Sequence, residues 1–95
     1  MLNIEKTTLK AYAGTYIFNA NHKLIVTFEN GKLFIRDTNP KDMLPKVQLF
    51  AESENMFYMK EARLRFEFVH DKNNNSLKIV TYNTNGKDAE CIKVK

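Results

Sequence analysis

His22-Lys23-Leu24-Ile25-Val26-Thr27-Phe28-Glu29, then Asn30-Gly31, then Lys32-Leu33-Phe34-Ile35-Arg36-Asp37 is the stretch whose reading decides the fold. Apolar residues alternate on both sides of an Asn-Gly dipeptide, the strongest short-range signal for a type I′ hairpin, because both central residues of that turn need positive φ. Centring the turn on Asn30 and Gly31 pairs Glu29 with Lys32, Phe28 with Leu33 and Val26 with Ile35. One face is then apolar throughout, which is what a register must deliver when one side of a sheet is buried. The other face sets Ile25 opposite Arg36 and Thr27 opposite Phe34, a mixed surface suited to solvent, with Glu29 and Lys32 as a favourable opposite-charge pair.

A second Asn-Gly pair, Asn85-Gly86, invites the same treatment. It pairs Thr84 with Lys87 and so places Ile79 opposite Ile92 and Leu77 opposite Val94 on the core face. Val80 then faces Cys91, and Tyr82 faces Ala89, on the outside. Between the hairpins, residues 62–70 alternate Leu64, Phe66 and Phe68 with Arg63, Arg65 and Glu67, the pattern of a half-buried antiparallel strand. Residues 71–76 form a polar, Asn-rich loop leading to a strand over 77–82. A turn at 52–55 precedes a short strand over 56–60. Pro45 cannot donate to a ladder, so 43–50 suits an edge or a bulge. With Gly14–Asn19 as the first strand the count is about eight. Residues 5–12 are the exception to period two and predict a short helical turn, capped by Thr7 or Thr8.

Short turns between consecutive strands favour an antiparallel meander, and closing it into a barrel or half-barrel removes exposed edges. The fold class is therefore all-β. The inward set comprises Tyr16, Phe18, Leu24, Val26, Phe28, Leu33, Ile35, Leu49, Phe57, Met59, Leu64, Phe66, Phe68, Leu77, Ile79, Ile92 and Val94. Side chains of this size on strands of about six residues predict a packed interior rather than a roomy one.

Ninety-five residues suffice for one core and not two, so 1–95 is read as a single domain, with 1–12 as an N-terminal segment and 13–95 as the meander. A hydrophobic fraction of 43% with 27% charged residues is that of a globular chain rather than a disordered one. No apolar run approaches the roughly 18 residues of a membrane span. Residues 1–12 carry charges where an export signal would be apolar, so none is expected in this chain. The single cysteine, Cys91, has no internal partner, so packing alone holds the fold.

Catalytic chemistry lacks its parts. Nucleophilic catalysis needs a nucleophile, a base and a group orienting that base, and the only histidines are His22 and His70. His70 adjoins Asp71, but neighbouring strand residues point to opposite faces. His22, His70 and Cys91 have no metal-ligand spacing, so neither metal nor cofactor is expected. Asp88 and Glu90 share a strand face beside Lys87 and Lys93, where solubility explains them more simply than acid–base work. The chain is therefore read as a non-enzyme.

The net charge of +4 arises from scattered lysines. Phe34, Tyr58 and Tyr82 offer stacking surfaces, and Arg36, Arg63 and Arg65 offer phosphate contacts. Acidic residues are interleaved with them and no strand repeats its surface aromatics, which counts against nucleic acid. Val80, Tyr82, Ala89 and Cys91, with Phe34, make the candidate interaction surface, since contiguous outer apolar area marks interfaces. The alternative cover for that patch is the N-terminal segment, through Leu9 and Tyr12.

Tyr12-Ala13-Gly14-Thr15-Tyr16, Glu29-Asn30-Gly31-Lys32-Leu33 and Leu44-Pro45 ahead of Leu49-Phe50 form a recognisable series, continued by Met56-Phe57-Tyr58 and Phe66-Glu67-Phe68-Val69. It resembles the small lipocalin-like domain at the C-terminal end of bacterial serine hydrolases of the β-lactamase-related, penicillin-binding class. The resemblance implies an eight-stranded barrel-like fold and an accessory place beside a catalytic domain. It carries no catalytic residue over, because the Ser-x-x-Lys nucleophile belongs to the other domain. Its implied partner is that catalytic domain, with self-association as the other choice; a piece of an exported hydrolase would lie outside the cytoplasm. A carrier of small apolar ligands, working at the barrel mouth, is the runner-up.

Overall fold

A computed structural model describes residues 4–19, 22–38, 46–60, 63–71 and 76–94, with the side chains of residues 18, 19, 22, 71 and 76 excepted. These residues form α1 (Lys6–Tyr12) and eight strands: β1 (Gly14–Asn19), β2 (His22–Glu29), β3 (Lys32–Asp37), β4 (Val47–Ala51), β5 (Met56–Tyr58), β6 (Arg65–Asp71), β7 (Ser76–Asn83) and β8 (Gly86–Val94). Each strand pairs antiparallel with the next, and β8 returns to β1 through Thr15↔Val94, Tyr16↔Lys93 and Ile17↔Ile92, closing the barrel. The expected all-β meander with a short N-terminal helix is what forms.

The deciding hairpin has the register read from its sequence, from Glu29↔Lys32 through Val26↔Ile35. Asn30 and Gly31 adopt φ of 53° and 80°, the positive pair that a type I′ turn demands. Val26, Leu33 and Ile35 are buried, while Phe28 packs against the core from a half-buried position.

The second hairpin turns one residue earlier than expected, which slips its register by two residues beside the turn. Asn83 pairs with Gly86, so Thr84 and Asn85 form the turn, and Gly86, at φ 111°, sits just past it. The cause is local: the Asn83 side chain accepts a hydrogen bond from the Asn85 backbone N–H at 2.8 Å, an Asx turn that starts the reversal one residue early. A bulge between Thr81 and Tyr82, with Asp88 as the extra residue, takes back one of those two, and the ladder settles one residue off the expected register into Thr81↔Ala89, Val80↔Glu90, Ile79↔Cys91 and Lys78↔Ile92. A one-residue slip moves every side chain to the other face. Cys91 is therefore in the core, and Ile92 and Val94, expected inside, are 38% and 39% exposed.

The rest of the inward set is largely as read. Tyr16, Leu24, Leu49, Phe57, Met59, Phe66, Phe68, Leu77 and Ile79 are buried, and Leu64 packs against them half-buried. The Phe18 side chain and the segment 39–45 containing Pro45 lie outside the described residues. Val47, Leu9 and Tyr12 join the core as well.

Helix α1 plugs the mouth at which the β2–β3 and β4–β5 turns lie. Its N-cap is Glu5 rather than either threonine, and no side chain caps it by hydrogen bonding; Thr7 and Thr8 lie within the first turn. A seven-residue helix cannot persist alone in water, so its docking is what forms it. Tyr12 supplies that docking. Its ring stacks on Phe68 at 4.3 Å and 12° and meets Phe57 edge-on at 5.9 Å, while its hydroxyl donates to the Glu54 carbonyl at 2.9 Å. The Tyr16 hydroxyl in turn donates to the Tyr12 carbonyl at 2.7 Å. Two tyrosines thus bring apolar bulk inside without leaving a polar tip unpaired. No buried side-chain N or O among the described residues lacks a partner.

Candidate functional site

With the interior occupied, what this barrel offers a partner is its outer wall, and that wall has two halves. Across β2, β1 and β8 the outward residues include Ile25, Ile17, Ile92 and Val94, brought side by side by Thr15↔Ile25, Thr15↔Val94 and Ile17↔Ile92. Across β3 to β7 they are aromatic and basic: Phe34 stands opposite Gln48, Phe50 opposite Tyr58, Tyr58 opposite Arg65 and Arg65 opposite Tyr82. The alternation Val47-Gln48-Leu49-Phe50-Ala51 explains why Phe50 faces out, since Val47 and Leu49 are the buried partners of the strand.

Cations lie over this aromatic half. Lys46 Nζ sits 5.1 Å from the Phe34 ring centroid, and Lys60 Nζ 4.3 Å from that of Phe50. Arg65 holds Glu52 in a two-pronged pair, at 3.0 and 3.1 Å. The Tyr82 hydroxyl donates to Glu67 Oε1 at 2.7 Å, and that bond is the first cause pushing its phenol pKa up. An open cleft of about 650 Å³ runs beside Tyr58, Lys60, Arg63, Arg65, Asn83 and Thr84.

The five residues read from the sequence as an interaction surface do not come together. Phe34 is on the outer wall at β3, half-buried, and Tyr82 is on it at β7. Val80 faces outward too, yet it is only 6% exposed, between cross-strand neighbours Glu67 and Glu90. Ala89 is half-buried opposite Thr81, whose hydroxyl donates to the Ala89 carbonyl. Cys91 is inside, for the register reason given above. Leu9 and Tyr12 do not cover the patch either, because they are committed to the barrel mouth.

Of the residues weighed for chemistry, Glu90 is bound by Lys87 and Lys78, and its carboxyl is held down at about 2, first by the Lys87 hydrogen bond and then by Lys78. His70 is exposed at the plugged mouth, beside Thr7, Thr8 and Leu77. The side chains of His22 and Asp71 lie outside the described residues. Among those described, no three His, Cys, Asp or Glu residues gather as metal ligands, and no helix is long and apolar enough to cross a membrane.

The Cys91 thiol is pushed up to about 11 by burial first and then by Asp37 and Asp88, and burial raises the Tyr16 phenol as well. Both groups keep their protons in the fold where the unfolded chain, at the ordinary values of 9.0 and 10.0, has released them. The stability that these two groups contribute is therefore full below about pH 9 and declines as pH rises toward 11. The urea midpoint is expected to fall between neutrality and about pH 10, and less so in Cys91→Val. An unchanged or rising midpoint contradicts the buried placement of both groups. Alkylation of Cys91 at mildly alkaline pH is likewise expected to proceed only as fast as the chain opens.

A family model for the Domain of unknown function (DUF3471) matches residues 3–91. The chain belongs to that family. No curated protein and no solved structure matched it. The match spans α1 and all of β1 to β7, and reaches Cys91 in β8, so the DUF3471 domain coincides with the barrel and its helical plug.

Proposed function

We propose that this DUF3471 domain is a noncatalytic, lipocalin-like interaction module that docks through the aliphatic half of its outer wall onto a serine hydrolase catalytic domain of the β-lactamase-related class. The observation that carries the reading is the pairing of Ile17 with Ile92 on the outside of the β1–β8 seam, next to Val94, so that Ile92 and Val94 stand exposed on one wall. Aliphatic side chains held out on a rigid ladder lose little freedom when a partner covers them. The resemblance described above supports the choice of partner and, because the Ser-x-x-Lys nucleophile belongs to the other domain, a noncatalytic role.

The test is calorimetric titration of the domain against the hydrolase catalytic domain encoded in the same or the adjoining reading frame. Association is expected, and Ile92→Asp with Val94→Asp is expected to abolish it while leaving the circular dichroism spectrum unchanged. Undiminished binding by that folded double variant overturns the reading. So does ester or β-lactam hydrolysis by the purified domain alone.

A second reading, a small apolar ligand held at the plugged mouth, draws on a cleft of about 250 Å³ between α1 and β3–β5, lined by Ile4, Leu9, Leu33, Leu49 and Phe57. That volume falls short of the roughly 300–1,000 Å³ usual for ligand pockets, which places it second.

A further inference from the structure

The aromatic half of the outer wall has a geometry that the spacing of its residues along the chain conceals. No strand repeats its outward aromatics, but Phe50, Tyr58, Arg65 and Tyr82 are successive direct cross-strand partners on β4, β5, β6 and β7. They form one row running perpendicular to the strands, and Phe34 extends it diagonally past Gln48. At the usual strand spacing of about 4.8 Å, the row from Phe50 to Tyr82 is about 14 Å long. Three rings and a guanidinium plane over that length give π faces for two or three stacked bases. The Phe50 and Tyr58 rings lie 5.7 Å apart and tilted by 33°, so they present faces at different angles rather than stacking on each other.

We infer that this row and the basic cleft beside it bind single-stranded nucleic acid. Charge decides among flat ligands. Lys60 covers the Phe50 ring and Lys46 the Phe34 ring, so anything that stacks there displaces an ammonium group from a favourable seat. An uncharged sugar ring returns nothing for that displacement. A nucleotide strand returns a phosphate for each lysine moved, while its base takes the vacated ring face. Lys60 and Arg63, at the cleft rim, have no carboxylate partner among the described residues, and both are exposed. Among the described residues, the acidic side chains nearby are engaged: Glu52 by Arg65, Glu67 by Tyr82 and Glu29 by Lys46 at 2.5 Å. The site lies on strands other than those of the proposed docking wall, so either assignment stands or falls separately.

The test is fluorescence anisotropy of the whole domain with labelled oligothymidylate and oligouridylate dodecamers, titrated from low to physiological salt. Binding is expected, weakening with salt along a log–log slope of about −2 to −3, the value for three or four phosphates on a single strand. Tyr58→Leu, which keeps an apolar side chain and removes the π face, is expected to weaken it about tenfold. Lys60→Glu with Arg63→Glu, both at exposed positions, is expected to abolish it. A urea midpoint near that of the parent confirms that each variant is folded. No binding at low salt overturns the inference. So does binding indifferent to Tyr58→Leu and matched by heparin, which would mark a surface for polyanions in general, or binding of polyglutamate in preference to either oligonucleotide, which would mark one for acidic protein.

Discussion

Phe68→Ala is expected to cost about 3–5 kcal/mol of folding stability, the range for removing a large aromatic ring from a core that cannot collapse around the gap. Phe68 is the point where the plug meets the barrel. Its ring stacks under Tyr12 and stands edge-on to both Tyr16 and Phe57, at 5.9 and 5.5 Å, and the residue is 2% exposed. Each such pairing contributes about 0.5–1.5 kcal/mol beyond the area it removes from water. A chain of this length has only about 5–14 kcal/mol in total, so the variant stands near the limit of folding. Urea titration followed by tyrosine fluorescence measures the loss. Tyr12 exposure is expected to increase at denaturant concentrations that still leave the far-ultraviolet spectrum of the strands intact, because a short helix without Phe68 has lost its seat. A cost below about 1 kcal/mol would show that the three rings do not depend on it.

The second large effect separates two adjacent residues. Cys91→Asp is expected to cost several kcal/mol and to prevent folding at ambient temperature, because it buries a carboxylate opposite Ile79 in a core that offers it no partner. Ile92→Asp, one position on, is expected to cost about 1 kcal/mol, the usual loss of strand propensity at a partly exposed site. Cys91→Val keeps the position apolar at a slightly larger volume and is expected to cost about 1–3 kcal/mol, the range for overpacking a core. Comparing the soluble yields and urea midpoints of the three proteins decides the register of β8. The reverse ranking, with Ile92→Asp the severe change, would restore the straight Asn85-Gly86 hairpin and put Cys91 back on the surface.

That pair of residues also shows where sequence reading stops. The hairpin at Asn30-Gly31 was legible because both of its unusual dihedrals are written into the two residues at the turn, and the apolar pairs on either side agree with it. The hairpin at Asn85-Gly86 carries the same dipeptide, but its geometry is set by the side chain of Asn83 and corrected by a bulge at Asp88, and neither leaves a mark on apolar period. Interior residues between the two hairpins were legible for the reason that alternation is a local property. The aromatic row was not, since it exists only through the registers of four strands at once, each fixed by pairings elsewhere in the barrel. Tyr58 and Tyr82 were visible as surface aromatics; that Phe50 joins them and Arg65 stands between them is a product of closure. The plug was half legible: Leu9 and Tyr12 are spaced for one helix face, yet their destination is the mouth of the barrel and not its side.

The wall of this barrel is unequal in strength. The β6–β7 ladder holds from Arg65↔Tyr82 to Asp71↔Ser76, whereas β4 pairs with β5 at Phe50↔Tyr58 and Ala51↔Phe57, followed by the Glu52 and Ser53 N–H groups donating to the Met56 carbonyl. Local opening is favoured where a ladder is short, so the β4–β5 join is where this cylinder is expected to open first. Phe50 and Tyr58, the rings proposed to hold neighbouring bases, stand on opposite lips of that join. A strand of nucleic acid lying across them would act as a suture, and its binding would register as slowed amide exchange on both sides.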